Sequence, residues 1–244
     1  MDDKKLYRNL IRNNNLVSFR VVVKETDIFV RAETELFDAA RELILECRGY
    51  LETYIKQYPE FAKTLVPWTK TGPAPKIVRE MIFAGMAAGV GPMAAVAGAV
   101  AESVGRGLLD YSRDVVVENG GDIFIRLDGM VTAGIFAGRS PLSMEVGVTV
   151  DGCGDPVSLC TSSGTVGHSR SFGNADAVCV VSDSCALADA AATSIANRVI
   201  SKTDIAGAIE FGREIKGVRG MVVIKEDGIG AWGDIEVVPL KSKT

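Results

Sequence analysis

Histidine is almost missing from this chain: His168 is the only one, so imidazole acid–base chemistry near neutral pH has a single place to reside. Cysteine occurs five times, at Cys47, Cys153, Cys160, Cys179 and Cys185, an odd set without a CxxC pair. That excludes a disulfide framework and a zinc site, and it favours free buried thiols in a reducing compartment. Basic residues are not in excess, with 27 Lys and Arg against 31 Asp and Glu, which argues against a nucleic-acid binder held by phosphate contacts. No G-x-S-x-G elbow and no G-x-G-x-x-G fingerprint is present, and the glycine-rich Gly89–Met93 lacks the Lys and Ser/Thr of a P-loop. The opening MDDKKLYRNLIRNNN has no apolar core of an export signal, so a cytoplasmic protein is expected. Uncharged sequence is long only at Met81–Ala101, near the ~20 residues that a bilayer span needs. It is mostly Gly and Ala, which contribute little transfer energy, so a closely packed internal segment is expected there and no membrane.

What remains is ordinary globular composition, 47% hydrophobic and 24% charged, in a chain long enough to bury a sizeable core. β-Branched and aromatic residues predict strands at Val17–Val23 and Asp27–Ala32, and a helix follows from an N-cap at Thr34 with apolar residues in helical period to Ile55. Four prolines between Tyr58 and Pro75 make that stretch a connector. Helices are predicted on both sides of Gly89–Pro92, with Pro92 opening the second, and strands at 114–118 and 122–127 join through Asn119-Gly120-Gly121. The second half has strands at 131–136, 144–150, 156–160 and 177–181, helices around Asp189 and at 203–215, and strands at 220–225 and 229–238. The order predicts an α+β domain over residues 1–244, a tandem duplication of ββααββ units (about 16–128 and 129–240) with antiparallel sheets packed against helices and a site in the cleft between halves.

Four clusters carry candidate chemistry. On the Ala-rich helix, Asp189, Thr193 and Asn197 recur at every fourth residue and so share one face. Asp189 and Thr193 can bind one hard cation, or they can serve the helix dipole and bond back to the preceding turn. Glu118-Asn119-Gly120-Gly121-Asp122 is either a phosphate-cradling turn or a plain hairpin. The loop 160–172 gathers Thr161, Ser162, Ser163, Gly164, His168 and Arg170, where the imidazole suits acid–base work and the guanidinium a phosphate, or the histidine is structural. Gly89–Met93 offers a helix N-terminus to an anion, or only close packing.

Taken in order, GAVAE (Gly98–Glu102), ENGGD (Glu118–Asp122), TSSG (Thr161–Gly164) and above all ADAAAT (Ala188–Thr193) resemble the motifs of the ApbE family of FAD:protein FMN transferases, closest to a short uncharacterised branch. The resemblance implies a T-fold-like architecture and Mg²⁺ held by Asp189 and Thr193 with a main-chain carbonyl from the Gly98–Ala101 region. It also implies FAD in the cleft beside Glu118–Asp122 and Thr161–Gly164, and an acceptor protein whose Thr or Ser takes FMN. His168 is the residue offered for acid–base catalysis. Where the transferases commonly carry Lys after the G-x-I-A motif, this chain has Glu102. A non-catalytic nucleotide-binding or sensing module and a ligand-free oligomeric scaffold stay open beside the transferase reading, and a homodimer is compatible with all three.

Overall fold

A computed structural model of the chain describes residues 16–163 and 173–240. Strands β1 (Val17–Val23) and β2 (Thr26–Ala32) pair as an antiparallel hairpin whose inward residues Val21, Ile28 and Val30 are fully buried. Helix α1 (Phe37–Gln57) follows, burying Ala40, Ile44, Cys47, Leu51 and Tyr54 at alternating spacings of four and three. Its cap is Leu36, not Thr34, and no side chain bonds there. The chain stays tied past the end of β2 because Ser112 Oγ accepts the Glu33 N–H at 3.1 Å while the Glu33 carboxylate accepts the Arg113 N–H at 2.8 Å. Helix geometry therefore starts only beyond Thr34.

The proline-rich connector has no long element but is anchored by aromatic rings. Tyr54, Tyr58, Phe61 and Trp68 stack edge to face, and the Trp68 indole N–H donates to the Tyr54 hydroxyl at 3.2 Å. Helix α2 (Lys76–Ala88) ends on Gly89, in the left-handed conformation with φ 71°. Pro92 then opens a 3-10 turn that runs into α3 (Val96–Leu108). The uncharged stretch is thus two helical segments bent by 106° with most of their apolar residues inside the protein. Among the described residues no single helix is long and apolar enough to cross a membrane.

The remaining elements are β3 (Val115–Asn119), β4 (Asp122–Arg126), β5 (Met130–Gly134), β6 (Val146–Asp151), β7 (Val157–Ser162), β8 (Ala177–Ser182), α4 (Cys185–Ala196), α5 (Ile205–Arg213), β9 (Val218–Lys225), β10 (Gly228–Gly233) and β11 (Glu236–Pro239). Among the described residues, eight strands form one antiparallel sheet in the order β1-β2-β3-β4-β7-β8-β9-β10. Skipping β5 and β6, the order in space is the order in the chain, and both intervening helical segments lie on one face. A main core fills the space between that face and the helices, with α4 central, its alanines letting α2, α3 and the sheet approach it closely. The opposite face is covered by a small sheet ordered β11-β6-β5, which closes a second apolar layer around Ile125, Val148 and Ile224.

The strands expected near 131–136, 144–150 and 156–160 are all present, the first two in the small sheet and the third paired with β8 in the large one. One strand expectation changes. The single strand expected over 229–238 is two strands in different sheets, divided at Gly233. Gly233 has φ 91°, and a Cβ there would clash with the Arg219 carbonyl, so glycine lets the chain leave one sheet and cross to the other.

Candidate functional site

Helix α4 starts where Ser184 Oγ accepts the Leu187 N–H at 3.3 Å, a side-chain cap that the sequence pattern supports. Its alanines are buried, whereas Asp189, Thr193 and Asn197 remain partly open along one stripe. Three other parts of the chain converge on this stripe. The first turn of α3 brings Gly98, whose N–H donates to Asp189 Oδ2 at 2.9 Å. The tip of the β3–β4 hairpin brings Glu118, Asn119 and Asp122, and Asn119 Nδ2 donates to the Ala97 carbonyl at 3.0 Å, tying the tip to α3. The end of β7 brings Thr161 and Ser162, with Ser162 Oγ 3.5 Å from Thr193 Oγ1 and the Thr161 N–H donating to the Gly121 carbonyl at 3.2 Å.

Gly120 and Gly121 adopt φ 70° and 113°, the positive values that a two-residue hairpin turn needs. The Gly121 N–H already donates to Glu118 Oε1 at 2.8 Å, so these glycines serve the hairpin geometry first. The α3 region turns the Gly98 N–H toward Asp189. Glu102 does not face this cluster through a free anion. Its Oε2 accepts the Cys185 N–H at 2.8 Å, and its Oε1 is held by Arg106 at 2.8 Å.

The electrostatics are those of carboxylates brought into a closed space. Burial pushes the Asp122 carboxyl well above the usual carboxylate range and the charge of Asp189 adds to this, while the Cys160 thiol and the Thr161 amide beside it oppose the shift. Burial likewise raises Asp189 to about 7 against the lowering effect of the Gly98 and Ala97 amides. Neither acid forms an ion pair with any described residue. Two such carboxylates, with the hydroxyls of Thr193 and Ser162 close by, are an all-oxygen donor set that a hard divalent cation would satisfy. Among the described residues there is no cluster of three or more His, Cys, Asp or Glu arranged to hold a metal through protein ligands alone. Mg²⁺, which keeps several waters, suits so sparse a set.

The structure therefore brings together Glu118, Asn119, Gly120, Gly121, Asp122, Thr161, Ser162, Asp189 and Thr193, with Ser163 next in the chain. Gly164, His168 and Arg170 lie outside the described residues. Two contributors escaped the sequence reading: the Gly98 amide, and Cys160, which lies against Asp122 with its Sγ 3.5 Å from that of Cys185. Only the glycine at the head of GAVAE hinted at the first.

The family described as AbpE bacteria matches residues 8–232. The chain belongs to that family. A UPF0280 protein of Methanocaldococcus jannaschii is 42% identical over 222 residues, covering 88% of this chain and 90% of the relative. A UPF0280 protein of Methanosarcina acetivorans is 39% identical over 216 residues, 87% of this chain and 85% of its own. Among solved structures, the Pseudomonas stutzeri flavinyl transferase ApbE in its apo form superposes with a TM-score of 0.58 at 14% identity, covering 89% of this chain and 94% of that one. The flavin transferase ApbE from Vibrio cholerae gives 0.55 at 12% identity, over 90% and 97%. At such identities the likeness shows a shared fold, and with the family match it bears out the ApbE-like resemblance seen in the sequence motifs.

Proposed function

We propose that this family member binds FAD together with Mg²⁺ and transfers FMN to a hydroxyl of an acceptor protein. The observation that carries the reading is the meeting of Asp189 and Thr193 on α4 with Asp122 at the hairpin tip and Ser162 at the end of β7. Asp189, Thr193 and Asp122 would hold the cation, which supplies neutralisation of charge on the pyrophosphate as its P–O bond breaks. A Thr or Ser hydroxyl of the acceptor would form the new bond to the FMN phosphorus, AMP would leave, and the hydroxyl proton would pass to a base, the role assigned to His168. Thr161–Gly164 and Glu118–Asp122 would line the nucleotide and Arg170 would pair with its phosphate. The flavin transferases of the same fold support the choice of ligand. The chain-ordered strands on either side of the β4–β7 seam support a T-fold-like duplication, and a cytoplasmic location remains part of this reading.

Calorimetric titration of FAD tests it, with and without Mg²⁺, on the wild type and on Asp189→Asn, which keeps an acceptor for the Gly98 amide. Binding that needs both Mg²⁺ and Asp189 is expected. Equal binding without the cation refutes the metal assignment, and no heat in any arm refutes the flavin reading.

A further inference from the structure

We propose that Glu102 is a positioning residue, which sets the Asp189 carboxylate by pinning the first turn of α4 against α3; this rests on the reading of Asp189 as a cation ligand. The two helices cap each other. Asp189, one turn into α4, accepts the N–H of Gly98 in the first turn of α3 at 2.9 Å. Glu102, nearly two turns into α3, accepts the N–H of Cys185 in the first turn of α4 at 2.8 Å and lies 3.4 Å from the Ser184 hydroxyl. Each carboxylate thereby meets the positive end of the other helix, where unpaired amides and the helix dipole favour an anion.

The contact is close because Gly98 has no side chain: a Cβ at that position would lie 2.9 Å from Asp189 Cβ and 2.8 Å from the Cys185 carbonyl carbon. Glu102 is itself fixed. It is 6% exposed, and Arg106 grips its second oxygen through Nε at 2.9 Å and Nη2 at 2.8 Å. The start of α4 is consequently held at a set height on α3, and Asp189 follows one turn along. This accounts for an anion in the GAVAE motif: its charge is directed to a helix N-terminus rather than toward a ligand.

Residue-resolved amide exchange on metal-free protein and FAD titration in graded Mg²⁺ test this in Glu102→Ala and Glu102→Gln. In Glu102→Ala the Gly98 N–H, which is bonded to Asp189 and not to the Glu102 side chain, is expected to lose about tenfold in protection relative to core amides of α1 such as Ile44, and half-saturating Mg²⁺ to rise by about tenfold. Glu102→Gln, which retains an acceptor for the Cys185 N–H, should recover most of both. Unchanged Gly98 protection in folded Glu102→Ala overturns the proposal and leaves Glu102 a local cap. If wild-type binding does not depend on Mg²⁺, the functional reading fails, and the exchange at Gly98 still decides whether Glu102 places Asp189.

Discussion

Replacing Gly98 by alanine probes the helix crossing that supports the whole site. The added methyl would meet the Cys185 carbonyl carbon at 2.8 Å and Asp189 Cβ at 2.9 Å, with the carbonyl oxygen nearer still. Neither neighbour is the free end of a flexible side chain, so α3 and α4 must part by about 1 Å to restore ordinary carbon contacts of about 3.5–4 Å. Overpacking of this kind costs ~1–3 kcal/mol, and the better helix propensity of alanine returns up to ~1 kcal/mol. A net loss of about 1–2 kcal/mol in a chain of this size lowers Tm by roughly 2–8 °C. Gly49→Ala is the matched control, since Gly49 is exposed on α1 with nothing within 4 Å of an added Cβ. It should gain up to ~1 kcal/mol and raise Tm. Thermal unfolding followed by far-UV circular dichroism compares the two variants with wild type. A Gly98→Ala protein that melts at or above the wild-type temperature would refute the claim that this glycine is required by the helix approach.

Two further outcomes are expected. Because burial raises Asp189 from 3.8 to about 7, the folded state binds more protons than the unfolded chain across that window. Metal-free stability should therefore fall as pH rises from about 4 to about 7, the reverse of an ion-paired carboxylate, with Asp122 acting in the same direction. Melting curves across this range should be steeper for wild type than for Asp189→Asn, and equal slopes would exclude a raised Asp189. Cysteine labelling should reach Cys153 alone in the native protein, slowly because its bond to Asp151 raises the thiol, whereas all five thiols react after unfolding; fast labelling of Cys160 or Cys185 would contradict their burial.

Local chemistry was legible in the sequence wherever one element carried it. The polar stripe of α4, the Gly120-Gly121 hairpin turn and the break at Gly89–Pro92 follow from residue spacing and backbone preference, and the structure contains all three. What could not be read was the choice among partners. β5 and β6 have the composition of strands, but alternation states only that a face is buried, not which sheet buries it. Residues 229–238 read as one strand, and nothing in the neighbours of Gly233 tells that β11 leaves for the other sheet. Glu102 is the clearest case. A glutamate inside an apolar helix signals a buried charge, while its partner, the Cys185 amide, is a backbone group with no signature of its own.

The small sheet has a consequence for the order in which the molecule can be built. β11 pairs with β6 through Glu236 and Thr149, so most of the second half of the chain is synthesised between the two partners. During that interval β5 and β6 can form only a two-stranded ribbon, which is marginal by itself in water. Val131, Val148 and Val150 must meanwhile shelter against the underside of β4 and β7, before β9 has arrived to complete that layer. Contacts between residues so distant in the chain close late and slowly. A chain halted at Gly233 would thus hold every strand of the large sheet and every helix yet leave this apolar layer partly uncovered, making the last stretch of synthesis the step at which the newborn protein is most prone to aggregate.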